Sequence, residues 1–289
     1  MKKTLTIGMC TYDDFDGVYF SLQALRMYHG HIVNNDDVEL LIIDNNPNGK
    51  HSEHVKGLVN WCKNARYLEY TDKKSTSSRD QIFKNAEGKY TISMDCHVFF
   101  EPGALDTLID YYVDNKNCKD IVSGPLIYDN LTSKSTHFKP TWGGDMYGQW
   151  ETNKQGLEDG VPFEIEMMGL GSFSCETKNW VGFNKRFRGF GAEEGYIHEK
   201  FRQNGGKAIC LPKFGWMHRF GRPYGIDYPL ELSDRIWNYF VGWLELTQDP
   251  EHQMIKDIYE NFKDRIPVSL LDNILSQAKK QELGVLQNV

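Results

Sequence analysis

The chain has 289 residues, 40% of them hydrophobic, and a formal net charge of −7, enough to bury a substantial core as one large domain or one domain with an appendage. The acidic balance gives no general electrostatic footprint for nucleic acid or an anionic membrane, and the basic run Lys185, Arg186, Arg188 is as well explained by a solvated turn as by a local patch. No uninterrupted apolar stretch approaches the roughly 18 residues that span a bilayer, the N-terminal MKKTLTIGMC lacks the length and cleavage site of a signal peptide, and the six cysteines are scattered without a C-x-x-C pair. These features predict reduced thiols in a cytoplasmic protein.

In chain order, apolar patterning predicts a strand over 4–9, a helix over 18–29 and a strand over 38–44, where VELLIID is the near-continuous apolar run expected of a strand buried on both faces. A helix over 51–64, a strand over 65–70, a helix over 77–87 and a strand over 90–94 follow, then a helix over 103–115 and a short strand over 120–123. Strands alternating with helices predict a mostly parallel sheet with right-handed crossovers. Ligands of such sheets bind beyond the carboxyl ends of the strands, where Cys10-Thr11-Tyr12, Asp44 and Asp95 fall. Residues 133–160 predict a long loop or hairpin whose Trp142, Tyr147 and Trp150 either line a sugar or acceptor site or pin the loop to the core; 142–150 is the lid candidate. Strands over 207–211 and 214–218 come next, and from 230 onward the pattern is helical, with the amphipathic IWNYFVGWLEL expected to pack on the main domain.

The stretch NAEGKYTISMDCHVFF carries the most chemistry. A buried strand closes on Asp95 and His97, two positions apart, which can project to the same side and grip one divalent cation, while Cys96 points the opposite way. Carboxylate oxygen with imidazole nitrogen suits manganese or a similar borderline ion better than calcium. Two protein ligands are few, as expected of an ion shared with a substrate diphosphate, whose developing charge a Lewis acid would neutralise. His218, in GWMHRF at the end of a late strand, is a third candidate ligand. Glu193 and Glu194, in GFGAEEGYIHEKF, open a helix; they are either macrodipole partners or acids that deprotonate or orient an acceptor hydroxyl. Arg79, in Ser77-Ser78-Arg79-Asp80, is a candidate bidentate phosphate or carboxylate partner, with an exposed helix charge as the alternative.

Taken together, SSRDQIFKNAEGKYTISMDCH resembles the corresponding block of family 2-type glycosyltransferases of the GT-A fold, matched at Ser78-Arg79, Ala86, Gly88, Tyr90, Asp95 and His97. It departs at Asp80, where that family usually has Asn, and at Ile82, where it usually has Gly. WVGFNKRFRGFGAEEGYIHEKFRQNGGKAI is similar to the acceptor-side segment, with Asn184 in place of the usual Asp and Glu194 in place of the Asp of a Glu-Asp pair. The Asp-x-His with a late His looks like the polypeptide N-acetylgalactosaminyltransferases. The resemblance implies an α/β GT-A domain over 1–225 with a C-terminal helical extension over 226–289. It further implies a metal site of Asp95, His97 and His218, nucleotide contacts from Thr11, Tyr12, Asp44, Arg79 and Asp95, and Glu194 or Glu193 near the acceptor. The expected activity is metal-dependent transfer, with Mn2+ or Mg2+, from a nucleotide-sugar donor, UDP-sugar foremost, to a hydroxyl of an acceptor that the sequence does not name. A non-catalytic nucleotide-sugar-binding protein and a nucleotidyltransferase are the alternatives. The second would place a Gly-rich, basic loop after strand one, and Cys10-Thr11-Tyr12-Asp13-Asp14 is neither.

Overall fold

The computed structural model describes residues 3–221 and 228–284. The chain opens with β1 (Lys3–Thr11), α1 (Phe15–Tyr28), α2 (Gly30–Val33), β2 (Val38–Asp44), α3 (Ser52–Trp61), β3 (Ala65–Glu69), α4 (Asp80–Asn85) and β4 (Gly88–Asp95). Next come β5 (Val98–Phe100), α5 (Ala104–Asp114), β6 (Ile121–Ser123), β7 (Leu126–Ile127), β8 (Lys134–Ser135), and the hairpin of β9 (His137–Gly143) and β10 (Met146–Glu151). After α6 (Lys154–Asp159), β11 (Phe163–Ile165), β12 (Ser172–Glu176), α7 (Glu193–Gln203), β13 (Ala208–Cys210) and β14 (Trp216–His218), three helices close the chain: α8 (Leu232–Thr247), α9 (Gln253–Phe262) and α10 (Val268–Leu283).

Eight strands form the central sheet in the order β11-β13-β6-β12-β4-β1-β2-β3. β4, β1, β2 and β3 run parallel, as does the β13–β6 pair, while β12 lies antiparallel between β4 and β6. Every residue of β2 is buried, as its near-continuous apolar run requires of a strand covered on both faces. The helix expected over 77–87 resolves into a short turn, Thr76–Arg79, and α4, which ends as Ala86 turns extended and Gly88 enters β4. α4 can lie close on the sheet because β1 presents Gly8 to it: a Cβ there would stand 2.1 Å from Ile82 Cγ2. The bulk that Ile82 adds is thus accommodated by the missing side chain opposite.

A small second sheet, β5-β14-β7-β8, brings the late strand to the end of β4. The hairpin of β9 and β10 occupies the expected loop or hairpin. Trp142 packs edge-on against Tyr239 and Phe262, Trp150 against Phe138, and Tyr147 N–H donates to the Tyr239 hydroxyl (2.8 Å). Its tip is tied to α9 by Asn261 Nδ2 donating to Gly144 O (3.2 Å) and to the turn after α9 by Arg265 reaching Asp145 (3.0 Å). These aromatics therefore pin the hairpin to the core.

The closing helices are continuous with the body of the protein. Ile236, Phe240, Ile258, Phe262, Leu271 and Ile274 share one buried cluster with Leu41, Ile43, Phe173 and Tyr196 of the sheet and α7. The boundary expected between 225 and 226 lies outside the described residues.

Candidate metal and transfer site

The centre of the site is the turn after β4. Its register places Asp95 beside Cys10 of β1, and the antiparallel pairing of β14 with β5 sets His218 opposite Val98, next to His97. Asp95, His97 and His218 each offer a ligand atom within 4.8 Å of the others. His97 Nε2 lies 3.1 Å from His218 Nε2, which is 3.3 Å from Asp95 Oδ2. One hard oxygen and two imidazole nitrogens converging at a strand end form a donor set that fits a borderline divalent cation. Cys96 lies on the other side of the His97 ring, its Sγ 3.5 Å from Nδ1, and is outside that set.

Arg79, buried at the end of its short turn, joins this centre to the head of α7. It donates from Nη2 to Asp95 Oδ1 (2.8 Å) and from Nη1 to Glu193 Oε1 (3.2 Å). Burial alone would raise the Asp95 carboxyl, but the Arg79 guanidinium, together with the neighbouring imidazoles, outweighs it and holds the group well below the usual carboxylate range. Glu193 and Glu194 start α7, and the chain bends into it through Ala192, a non-glycine residue held left-handed at φ 75. Burial also raises Glu193, tempered by Arg79. Glu194, half-buried, is pushed up to about 8 by desolvation and by the charge of Glu193.

The expected nucleotide residues sit at the adjoining strand ends. Thr11 is buried with its hydroxyl unpartnered among the described residues. Tyr12 packs edge-on against Tyr228, with Lys74 Nζ over its ring. Asp44, at the end of β2, accepts from Tyr67 Oη (2.6 Å) and from Asn46 N–H (2.8 Å), and burial raises its carboxyl against those two bonds. These residues lie at the carboxyl ends of β1 and β2, and Arg79 links Glu193 of α7 to Asp95 at the end of β4.

The structure adds residues that sequence reasoning did not single out. Asp14, the N-cap of α1, places Oδ2 2.9 Å from His97 Nδ1. Arg219 donates from Nη2 to both Asp14 oxygens, each at 2.8 Å. The departures in the two motif blocks also acquire partners. Asp80 accepts from Trp180 Nε1 (2.8 Å) and from Phe183 N–H (3.2 Å), fastening the segment that leads to α7. Asn184 donates from Nδ2 to Glu245 Oε2 (2.7 Å) and Glu282 Oε1 (3.1 Å). An amide, and not another acid, belongs between those two carboxylates.

Fold and site together define a GT-A α/β protein. The sequence matches glycosyl transferase family 2 over residues 6–176, more than half of the chain, and the protein belongs to that family. Among solved structures it is similar to GalNAc-T7 bound to UDP, GalNAc and Mn2+, at 13% identity and a TM-score of 0.69, covering 97% of this chain and 54% of that one. It is also similar to the mannosyltransferase PcManGT from Pyrobaculum calidifontis bound to GDP-Man and Mn2+, at 12% identity and a TM-score of 0.56, covering 98% and 73%. A third likeness is to S. aureus TarS 1-349 with UDP-GlcNAc, at 12% identity and a TM-score of 0.52, covering 96% and 73%. The chain therefore spans about half the length of the GalNAc-T7 chain it matches. No curated protein matches the sequence. Among the described residues, no helix is long and apolar enough to cross a membrane.

Proposed function

We propose that this protein is a metal-dependent glycosyltransferase that moves a sugar from a nucleoside diphosphate sugar, UDP-sugar foremost, to an acceptor hydroxyl. The observation that carries the reading is the convergence of Asp95, His97 and His218 at the carboxyl end of β4, in a chain of glycosyl transferase family 2. Those three side chains would hold Mn2+ or Mg2+, and a bound cation would supply Lewis-acid neutralisation of the diphosphate leaving group. Thr11, Tyr12 and Asp44 line the strand ends where base and ribose would lie. Arg79 keeps Asp95 ionised and aimed, and reaches Glu193 of α7 in the same stroke. Glu194, with Glu193 beside it, would take or steer the proton of the acceptor hydroxyl; a carboxyl raised toward neutrality is a stronger base than an ordinary one.

The catalytic unit in this reading is the GT-A domain over 1–225, with residues 226–289 as a helical extension packed against it. Six cysteines without a disulfide fit a reducing compartment such as the cytoplasm. The donors bound to the similar structures, UDP and GDP sugars, frame the test. Thermal unfolding is followed with UDP and with GDP, each with and without manganese, for the wild type and for His218→Ala. A ligand at ~100 times its dissociation constant stabilises by about 2.7 kcal/mol. A manganese-dependent shift with UDP that disappears in His218→Ala is the expected result. Equal shifts with and without the ion, or none with either nucleotide, would overturn the reading.

A further inference from the structure

We propose that Asp14 is the positioning residue of this centre: it fixes the His97 ring with its proton on Nδ1, so that the bare Nε2 lone pair faces Asp95 and His218. The inference rests on the metal reading above and extends it to a residue outside the three ligands.

The chemistry of the contact decides where the proton sits. Asp14 Oδ2 is 2.9 Å from His97 Nδ1. Arg219 Nη2 donates to both oxygens of the same carboxylate, and Gly17 N–H donates to Oδ1 (2.9 Å). The fixed guanidinium of Arg219 seated on both oxygens, with the Gly17 N–H beside it, holds this carboxyl as a carboxylate. An ionised carboxylate can only accept. The hydrogen between the two groups therefore belongs to His97 Nδ1, and a neutral imidazole protonated there has its free lone pair on Nε2.

The support is also rigid. Asp14 caps α1, and Ser21 on the same helix donates from Oγ to Cys96 O (2.8 Å) and to Val98 O (3.1 Å), on either side of His97. Arg219 N–H donates to His97 O (3.2 Å), so backbone and ring are both gripped. Asp14, Cys96 and His97 also lie close enough together to suggest a second cation site. Arg219, already seated on both Asp14 oxygens, puts a fixed positive charge where that cation would go, so the geometry points to a positioning contact. His218 is held differently: its Nδ1 is buried with no hydrogen-bond partner among the described residues. Partners of this kind, which orient a ligand's ring, typically matter 10- to 100-fold for metal affinity.

Asp14→Asn separates this role from a structural one. Asn caps a helix about as well as Asp, and its oxygen can keep the bond from Gly17 and one of the two from Arg219. Its amide then faces His97 Nδ1 and donates to it, driving the ring proton to Nε2. The ring nitrogens of His97 are read by long-range nitrogen–proton NMR on the metal-free protein at about pH 8, above the ordinary histidine range, and assigned by their loss in His97→Gln. Manganese affinity is read in parallel from the free-ion EPR signal with UDP present. We expect the Nδ1–H form in the wild type, the Nε2–H form in Asp14→Asn, a roughly 10- to 100-fold weaker hold on manganese in the variant, and an unfolding midpoint lowered only by the forfeited Arg219 contact. A wild-type His97 protonated on Nε2, or a variant with wild-type manganese affinity, would overturn the proposal. Should the wild type hold no manganese, the metal reading fails, and the wild-type ring spectrum still decides the role of Asp14. The same spectrum decides it if the variant does not fold.

Discussion

At the head of α7, ionising Glu194 means charging a half-buried carboxyl beside Glu193, which is why it sits at about 8. In the unfolded chain an ordinary Glu titrates near about 4.3. The folded state therefore binds the extra proton between those values, and the stability this contributes is lost as pH rises through about 8. Replacing Glu194 by Gln removes that loss, so the wild type should fall below Glu194→Gln in unfolding midpoint as pH rises through this window. Parallel curves from pH 5 to 9 would show that the group does not titrate there. If Glu194 handles the acceptor proton, donor consumption by the wild type should climb over the same interval and stay flat and low in the variant. Asp95 and His97 were legible in the sequence because they lie two residues apart at the end of an apolar strand. Asp14 was not: it meets His97 across 83 positions, and a lone acid before a helix looks like any N-cap. Nor could the sequence pair Arg79 with Glu193, 114 positions away.

Among the elements, α4 depends on the bare backbone of β1. Gly8→Ala would place a methyl group 2.1 Å from Ile82 Cγ2, forcing α4, and with it Arg79, away from the sheet. Overpacking of this kind costs about 1–3 kcal/mol, readable in urea unfolding. Gly8→Ala combined with Ile82→Gly should recover part of it; a double mutant no better than the sum of the singles would refute the contact as the cause. The parallel half of the sheet was visible in sequence because strand and helix patterns alternate there and VELLIID is a near-continuous apolar run. β12 was not, because SFSCE mixes small polar and apolar residues and sits among motif-poor loops. Two of its polar groups find partners inside the sheet, with Ser174 Oγ donating to Thr91 O (2.9 Å) and Ser123 Oγ donating to Ser172 O (2.6 Å), while the Ser172 hydroxyl has none among the described residues. Those bonds exist only once β4 and β6 flank it.

For the molecule as a whole, the closing helices and the family 2 region share a core and are stitched by polar contacts, so the chain should unfold in one transition. Asn184 is the sharpest stitch, bridging to Glu245 on α8 and Glu282 on α10. Asn184→Asp, although it restores the residue that the resembling family usually carries, sets a third acid against two and withdraws their donor. We expect a loss of about 2–4 kcal/mol within a transition that remains single by circular dichroism and fluorescence. Two separated transitions would mean that the extension folds as a unit of its own.

Arg79 has one more consequence. Its guanidinium bonds one carboxylate at the end of β4 and another at the start of α7, nearly a hundred residues on. A chain severed anywhere between them keeps Arg79 with Asp95 on one fragment and leaves Glu193 on the other without its counter-charge. Such fragments could not be exchanged as modules, yet they would carry their own reporter. Reassembly would restore the buried ion pair and the metal-binding turn together, so recovered cation binding would measure complementation directly.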